Sequence, residues 1–231
     1  MIKLVVFDIG QTLVEYDKPL NWSLLSEPAL SLVAKKCGYI LSREDIASAI
    51  DILSKYNTRI NPREYEVNSD VIFGEMLRKW NKPVSDILKV KETYYMYFRQ
   101  NCRIYDDVET TLIKLKKLGI KTATLSDVAY GMDNIYALAD ITSIIEYIDF
   151  PITSNNTGFR KPNIKGLQIL ANKLNIKLSE ILFVGDEEKD MLCANNAGAY
   201  SVLINRTSIE KNYGQSRTVK SLLEIIDLLG D

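Results

Sequence analysis

Histidine is absent from this 231-residue chain, which removes Ser-His-Asp and Cys-His catalysis and histidine-ligated zinc from consideration. Cysteine is scarce: Cys37, Cys102 and Cys193 are odd in number, far apart and outside any metal-ligand spacing. A disulfide scaffold is thereby excluded and a reducing cytoplasm is the expected setting. Neither sign of charge dominates, since 29 basic against 30 acidic side chains leave a formal net charge of −1. Nucleic-acid and membrane-surface binders usually carry a strong basic excess, so neither partner is expected. Long apolar runs are missing too: the N-terminal stretch stops at Asp8, short of a signal peptide, and nothing approaches membrane-spanning length. What remains for chemistry is carboxylates, lysines and hydroxyls.

The length is more than one hydrophobic core usually fills and less than two average domains, so one domain with a substantial insertion is expected. Residues 2–7, Ile-Lys-Leu-Val-Val-Phe, read as a strand buried on both faces, and similar runs recur at Lys121 to Leu125, Ile181 to Val184 and Tyr200 to Ile204. Amphipathic helical segments lie between them, ending at Gly119, near Asn175 and at Gly198. This alternation predicts an α/β fold: a parallel sheet, helices on both faces, and functional groups at the carboxyl ends of the strands. From about Asp17 to about Asn101 the pattern changes to repeated helix starts. Ser26 with Pro28 opens a helix closing at Gly38; Ser42-Arg-Glu-Asp45 resembles a capping box; further helices are expected around Val71 to Trp80 and Val84 to Phe98. The run Val219 to Leu229 reads as a packing helix. The expected organisation is a core of residues 1–16 and 102–231 with a helical insertion of residues 17–101.

Four strand ends in this scheme carry polar residues: Asp8, Ser126, Lys161, and Asp186 with Asp190. An aspartate closing a strand is usually just a turn or cap, so the argument rests on their combination. On one edge of a parallel sheet they bring three carboxylates, one ammonium and one hydroxyl into a single crevice. Paired carboxylates repel unless a divalent cation sits between them, and an all-oxygen site suits Mg2+. Asp190 lies one helical turn beyond Asp186. Lys161 and Ser126 would hold phosphate oxygens while Asp8 attacks phosphorus in line.

These residues resemble the motifs of the haloacid dehalogenase (HAD) superfamily of hydrolases. The first motif reads Phe7-Asp8-Ile9-Gly10-Gln11-Thr12-Leu13, the second Leu125-Ser126-Asp127, the third Arg160-Lys161-Pro162, and the fourth Gly185-Asp186-Glu187-Glu188-Lys189-Asp190. The resemblance covers essentially the whole chain and implies a Rossmann-like core with an inserted α-helical cap. It further implies a magnesium-dependent phosphatase of a small phosphorylated substrate. In that reading Asp8 is nucleophile and metal ligand, the Gly10 carbonyl and Asp186 are ligands, Asp190 is a supporting acid, and Ser126 and Lys161 contact phosphate.

One departure matters. Gly10 stands where phosphatases of the family have the aspartate that protonates the leaving oxygen, a contribution of about 10² to 10⁴ in rate. Three readings follow: leaving groups that need little protonation, such as acyl, anhydride or anomeric sugar phosphates; another acid, such as Asp127, Glu15 or Asp17; or lost phosphatase activity. A 2-haloacid dehalogenase tolerates Gly10 because halide leaves unprotonated, but it has no use for Asp186 and Asp190 around a cation. A non-catalytic homologue binding a phosphorylated ligand or a protein is the other alternative. Asp127 reads as a helix cap or a substrate contact, Arg160 as a solvated neighbour of Lys161, and Lys114, Lys116 and Lys117 as a wet helix face. Tyr16 and Lys18 enter the insertion and face the crevice in one arrangement; Arg43, Arg59, Arg63 and Arg99 are candidate cap contacts.

Overall fold

The chain alternates strand and helix because its apolar residues do so at two periods, and each central strand of the computed structural model is buried from both sides. Residues 1–17, 21–99 and 102–229 are described; Lys18 and Asn101 lie outside them. In chain order the strands are β1 (Leu4–Phe7), β2 (Val14–Tyr16), β3 (Cys102–Ile104), β4 (Lys121–Ser126), β5 (Phe150–Thr153), β6 (Ile181–Gly185), β7 (Tyr200–Ile204) and β8 (Arg217–Val219). The helices are α1 (Trp22–Cys37), α2 (Arg43–Tyr56), α3 (Ser69–Lys79), α4 (Ile87–Phe98), α5 (Val108–Lys117), α6 (Asn134–Ala137), α7 (Ser154–Thr157), α8 (Lys165–Leu174) and α9 (Glu188–Ala197).

The main sheet is six-stranded and parallel, in the order β5-β4-β1-β6-β7-β8. Successive side chains of a strand point to opposite faces, and β1 shows the consequence. Val5 and Phe7 join a core with Leu112 and Leu115 of α5 and with the 3₁₀ segments Ala139–Tyr147 and Leu222–Leu229. Leu4 and Val6 join a second core with Leu167 and Leu170 of α8 and Ala194 of α9. Phe7 is in register with Thr124 and with Val184, so Asp8 emerges level with the ends of β4 and β6.

Two strands of this sheet lie outside the sequence expectation, as do β2 and β3. β5 reads Phe-Pro-Ile-Thr; it lies at the sheet edge, where Pro151 costs no ladder bond. β8 has three residues and ends at Val219, so the expected helix from Val219 to Leu229 is corrected to a strand end followed by a 3₁₀ segment at Leu222–Leu229. Lys161 is also not at a strand end: it follows α7, in the loop before α8.

Between β2 and β3 the chain builds α1 to α4 around a separate core that includes Leu30, Val33, Phe73, Met76 and Tyr94. β2 and β3 pair antiparallel, Tyr16 opposite Cys102, so the outgoing and returning chains form one ribbon. Helix α1 begins at Trp22, with the Asn21 side chain accepting from Leu24 N–H at 3.0 Å. This corrects the start expected at Ser26; Pro28 sits inside the helix. Helix α1 ends on Gly38 in the left-handed conformation, and Ser42 and Asp45 make the expected reciprocal cap of α2. Among the described residues no helix is long and apolar enough to cross a membrane.

The helical layer meets the sheet layer closely at Gly131. Its φ is +64°, and a Cβ there would lie 2.0 Å from the Val67 carbonyl oxygen and 2.7 Å from the Ser69 nitrogen. Gly38 has φ +73°, and a methyl group there would meet nothing within 4 Å. Gly38→Ala therefore carries only the left-handed penalty of about 1–2 kcal/mol, whereas Gly131→Ala must also push neighbouring backbones apart. Urea unfolding is expected to show the larger loss for Gly131→Ala; equal losses contradict the close approach.

Candidate active site

Three loops at the carboxyl edge of the sheet converge on one buried ammonium. Asp8 follows β1, is 8% exposed, and its N–H donates to Val184 O at 2.9 Å. Asp186 follows β6, and Asp190 lies in the first turn of α9. The i, i+4 spacing turns Asp190 back over the loop, where one carboxylate oxygen accepts from the N–H groups of Asp186 at 3.1 Å and Glu187 at 3.0 Å. Gly185 makes room for it, since a Cβ there would fall 2.4 Å from Asp190 Oδ2. Lys161 Nζ sits 2.6 Å from Asp8 Oδ1 and 2.7 Å from Asp190 Oδ1. Burial alone would push the lysine down, but Asp190, Asp8 and Asp127 hold it well above its ordinary range.

One oxygen from each of Asp8, Asp186 and Asp190 lies within 4.8 Å of the others. Asp186 Oδ1 is buried without a hydrogen-bond partner. Burial and the neighbouring charges of Asp8, Asp190 and Glu187 push the Asp186 carboxyl up to about 8. Asp190 is pushed up to about 6, by burial first and by Asp8 against the opposing pull of Lys161. A buried carboxylate oxygen left unpaired costs free energy unless something charged completes it.

Ser126 ends β4 and lines a cavity of about 520 Å³ with Asp8, Gly10 and Asp186. Asp127 is no helix cap: one of its oxygens accepts from the Lys161 N–H at 3.0 Å, and the other lies 3.3 Å from Lys189 Nζ. Burial opposes its charge, yet Lys161, Lys189 and Arg160 keep it below the usual carboxylate range. Arg160 is not solvated: it is 5% exposed, pairs with Glu66 and donates to Val128 O at 2.7 Å. Lys114, Lys116 and Lys117 lie on α5, whose opposite face buries Leu112 and Leu115, and all three are exposed as expected.

The position left by Gly10 is not required by packing. A Cβ there would meet only Tyr16 Cε2, at 3.7 Å. Glu15 pairs with Arg103 across the ribbon, and neither Glu15 nor Asp17 lines the cavity. Tyr16 does line it, donating its hydroxyl to Asp140 Oδ2 at 3.0 Å. Arg59 and Arg99 line the cavity as well, and Arg59 reaches Glu187 at 3.0 Å. Arg63 borders an adjoining cavity and donates to Tyr56 O, whereas Arg43 is exposed outside both. Sequence reasoning did not single out Glu66, Asp140, Glu187 or Lys189. Lys189 and Glu187 lie within the Asp186 motif, whereas Glu66 and Asp140 sit in segments with no distinguishing pattern.

This arrangement agrees with what the chain is similar to. Residues 2–198 match the family model of haloacid dehalogenase-like hydrolases. The chain belongs to that family. It is a hydrolase. A glyceraldehyde 3-phosphate phosphatase of Methanothermobacter thermautotrophicus is 26% identical, the match covering 99% of this chain and 100% of that protein. A phosphoglycolate phosphatase of Vibrio parahaemolyticus is 25% identical over 87% of this chain and 82% of its own length. A crystal structure of a 2-haloacid dehalogenase from Pseudomonas syringae superposes with a TM-score of 0.69 at 19% identity, covering 100% of this chain and 99% of that one. At that identity it shows the shared α/β fold alone.

Asp186 also sets a stability test. Its carboxyl is raised in the folded chain, so the fold binds a proton that the unfolded chain, at the ordinary carboxylate value, has released. The contribution of Asp186 to stability therefore falls as pH rises from about 4 through about 8. In chelator, Asp186→Asn is expected to raise the urea midpoint at pH 8.5 and to gain progressively less as pH is lowered toward about 4. A lower midpoint at the alkaline end contradicts the crowding of carboxylates.

Proposed function

We infer that the protein is a magnesium-dependent phosphatase acting on a small phosphorylated metabolite through an aspartyl-phosphate on Asp8. The observation that carries this reading is the Asp186 carboxylate, gathered with Asp8 and Asp190 within 4.8 Å beside a buried lysine, with one buried oxygen that has no hydrogen-bond partner. The donor set is all oxygen, which fits Mg2+: Asp8 and Asp186 would hold the ion with the Gly10 carbonyl, and Asp190 would support them. When bound, the ion supplies positive charge that offsets the carboxylates and the incoming phosphate.

The chain's own groups do the rest. Lys161 and the Ser126 hydroxyl hold phosphate oxygens and orient phosphorus toward Asp8. An Asp8 oxygen forms the new P–O bond as the bond to the leaving oxygen breaks, and the leaving oxygen keeps the electron pair. Water then attacks the aspartyl-phosphate, releasing the Asp8 carboxylate and dihydrogen phosphate, so the water proton departs with the product. Neither step draws a proton from position 10, which is why leaving groups that depart unprotonated fit best. We assign residues 1–16 and 102–231 to the core and 17–101 to a cap that closes over the site and excludes bulk water. The relatives named as phosphatases support this reading, and a cytoplasmic metabolite is the expected substrate.

A dehalogenase would need no cation between Asp8 and Asp186, and the unpaired Asp186 oxygen argues against it. A binding-only homologue has no need of a nucleophile held 2.6 Å from a buried lysine.

Asp8→Asn is expected to abolish hydrolysis of acetyl phosphate, and chelation to stop the wild-type enzyme; activity persisting in either case contradicts the proposal. Gly10→Asp, accommodated beside Tyr16, is expected to raise kcat/KM for glycerol 3-phosphate by about 10² or more, measured by phosphate release, with acetyl phosphate changed far less.

A further inference from the structure

The active-site cavity that Asp8 lines is also lined by aromatic and aliphatic side chains. Trp22 of α1 stacks on Phe98 of α4 with ring centroids 4.0 Å apart and planes 21° apart. Tyr136 of α6 also lines the cavity, as do two large apolar side chains that the fold leaves uncovered: Met96, 45% exposed, and Ile135, 77% exposed. The hydroxyl, carbonyl and carboxylate groups of a triose phosphate or glycolate have Arg59 and Arg99 of the same cavity as partners but gain nothing from these apolar side chains. An apolar ring gains about 25 cal/mol for each Å² it removes from water there.

The chemistry at position 10 narrows the ligand independently. Without an acid the leaving oxygen departs as an anion. An alkoxide is about as basic as hydroxide, whose parent water has a pKa of about 15.7, whereas a phenol-type hydroxyl lies near about 10. Tyr16, whose ring adjoins that position, does not repair the gap. Its proton is already donated to Asp140, and burial together with Asp140 and Cys102 raises the phenol far above its ordinary range.

From the wall and the missing acid together, we propose that Trp22, Met96, Ile135 and Tyr136 form a leaving-group subsite for an aryl phosphate, a phosphate monoester of a phenol-type hydroxyl. The proposal rests on the phosphatase reading above. In the step it favours, an Asp8 oxygen bonds to phosphorus and the P–O(aryl) bond breaks. The electron pair stays on the aryloxide, and no proton is transferred. The flat ring lies against the apolar wall, and the aryloxide takes its proton from solvent after release.

The test compares 2-naphthyl phosphate, glycerol 3-phosphate and acetyl phosphate on the full-length enzyme with Mg2+, and the double variant Met96→Ser/Ile135→Ser, whose changes fall on exposed side chains. The expected result is kcat/KM at least about 100-fold higher for 2-naphthyl than for glycerol 3-phosphate, with competitive inhibition by 2-naphthol. In the double variant the ratio of naphthyl to acetyl phosphate turnover should fall about tenfold. Comparable turnover of naphthyl and glycerol esters, or an unchanged ratio in the variant, overturns the subsite. If acetyl phosphate is not hydrolysed, the phosphatase reading fails. Calorimetry with 2-naphthol then decides the wall alone: binding that weakens about tenfold in the double variant supports it, and binding absent at millimolar concentration overturns it.

Discussion

The structure turns on one buried ammonium. Lys161 is enclosed at the meeting point of loops after β1, β4, α7 and β6, with Asp8 and Asp190 within ion-pair distance and Asp127 holding its backbone N–H. An ion taken out of water is tolerated only when opposite charges and hydrogen bonds meet it, and removing one partner of a buried pair costs about 3–5 kcal/mol. Lys161 therefore fixes where those loops can sit. The same constraint fixes the chemistry, because it gathers more carboxylates than one lysine neutralises. Asp186 is the surplus member, and its unpaired oxygen marks where further positive charge belongs.

The helical layer is tied to this cluster by buried charge as well as by packing. Glu66, between α2 and α3, pairs with Arg160, the residue before Lys161, and accepts from Ser154 Oγ at 2.6 Å. Ser154 in turn accepts from Val128 N–H at 3.0 Å, and Arg160 donates to Val128 O. One carboxylate from the helical layer thus braces both the loop carrying Ser126 and Asp127 and the loop carrying Lys161. The position of the helices and the placement of Ser126, Asp127 and Lys161 are mechanically linked.

Much of this is legible in the sequence because it depends on local pattern. The two-face burial of β1 shows in Leu4 to Phe7, the turn at Gly38 in a glycine after an amphipathic run, and the cap at Ser42 in a serine three residues before an acid. Asp8 and Asp186 are legible because they directly follow β1 and β6, and Asp190 because it lies one turn on; Lys161, which ends no strand, is legible through the resemblance of its Arg160-Lys161-Pro162 motif. What escapes depends on groups far away in the chain. β5 and β8 are short edge strands whose pairing neighbours decide their state. Arg160 reads as a surface charge because Glu66, 94 residues away, is what buries it. The Tyr16–Asp140 pair spans 124 residues, and no local signal announces it. Gly10 is where pattern and packing diverge. The space beside it accepts a side chain, so its emptiness is chemical in consequence and not steric in origin. On the proposed phosphatase reading, a site built this way would stabilise charge on phosphorus and leave the departing group to its own basicity, and apolar side chains line the same cavity.

The central claim is that Asp8 takes up a phosphoryl group when cation and lysine are in place. Its most direct test is acid quenching of the enzyme during turnover of acetyl phosphate with Mg2+, followed by borohydride reduction and peptide mass spectrometry. Reduction is expected to convert Asp8, and no other carboxylate, to homoserine, and no homoserine is expected when the cation is chelated before substrate is added. A carboxylate reduced elsewhere, or steady hydrolysis with Asp8 never modified, contradicts the claim.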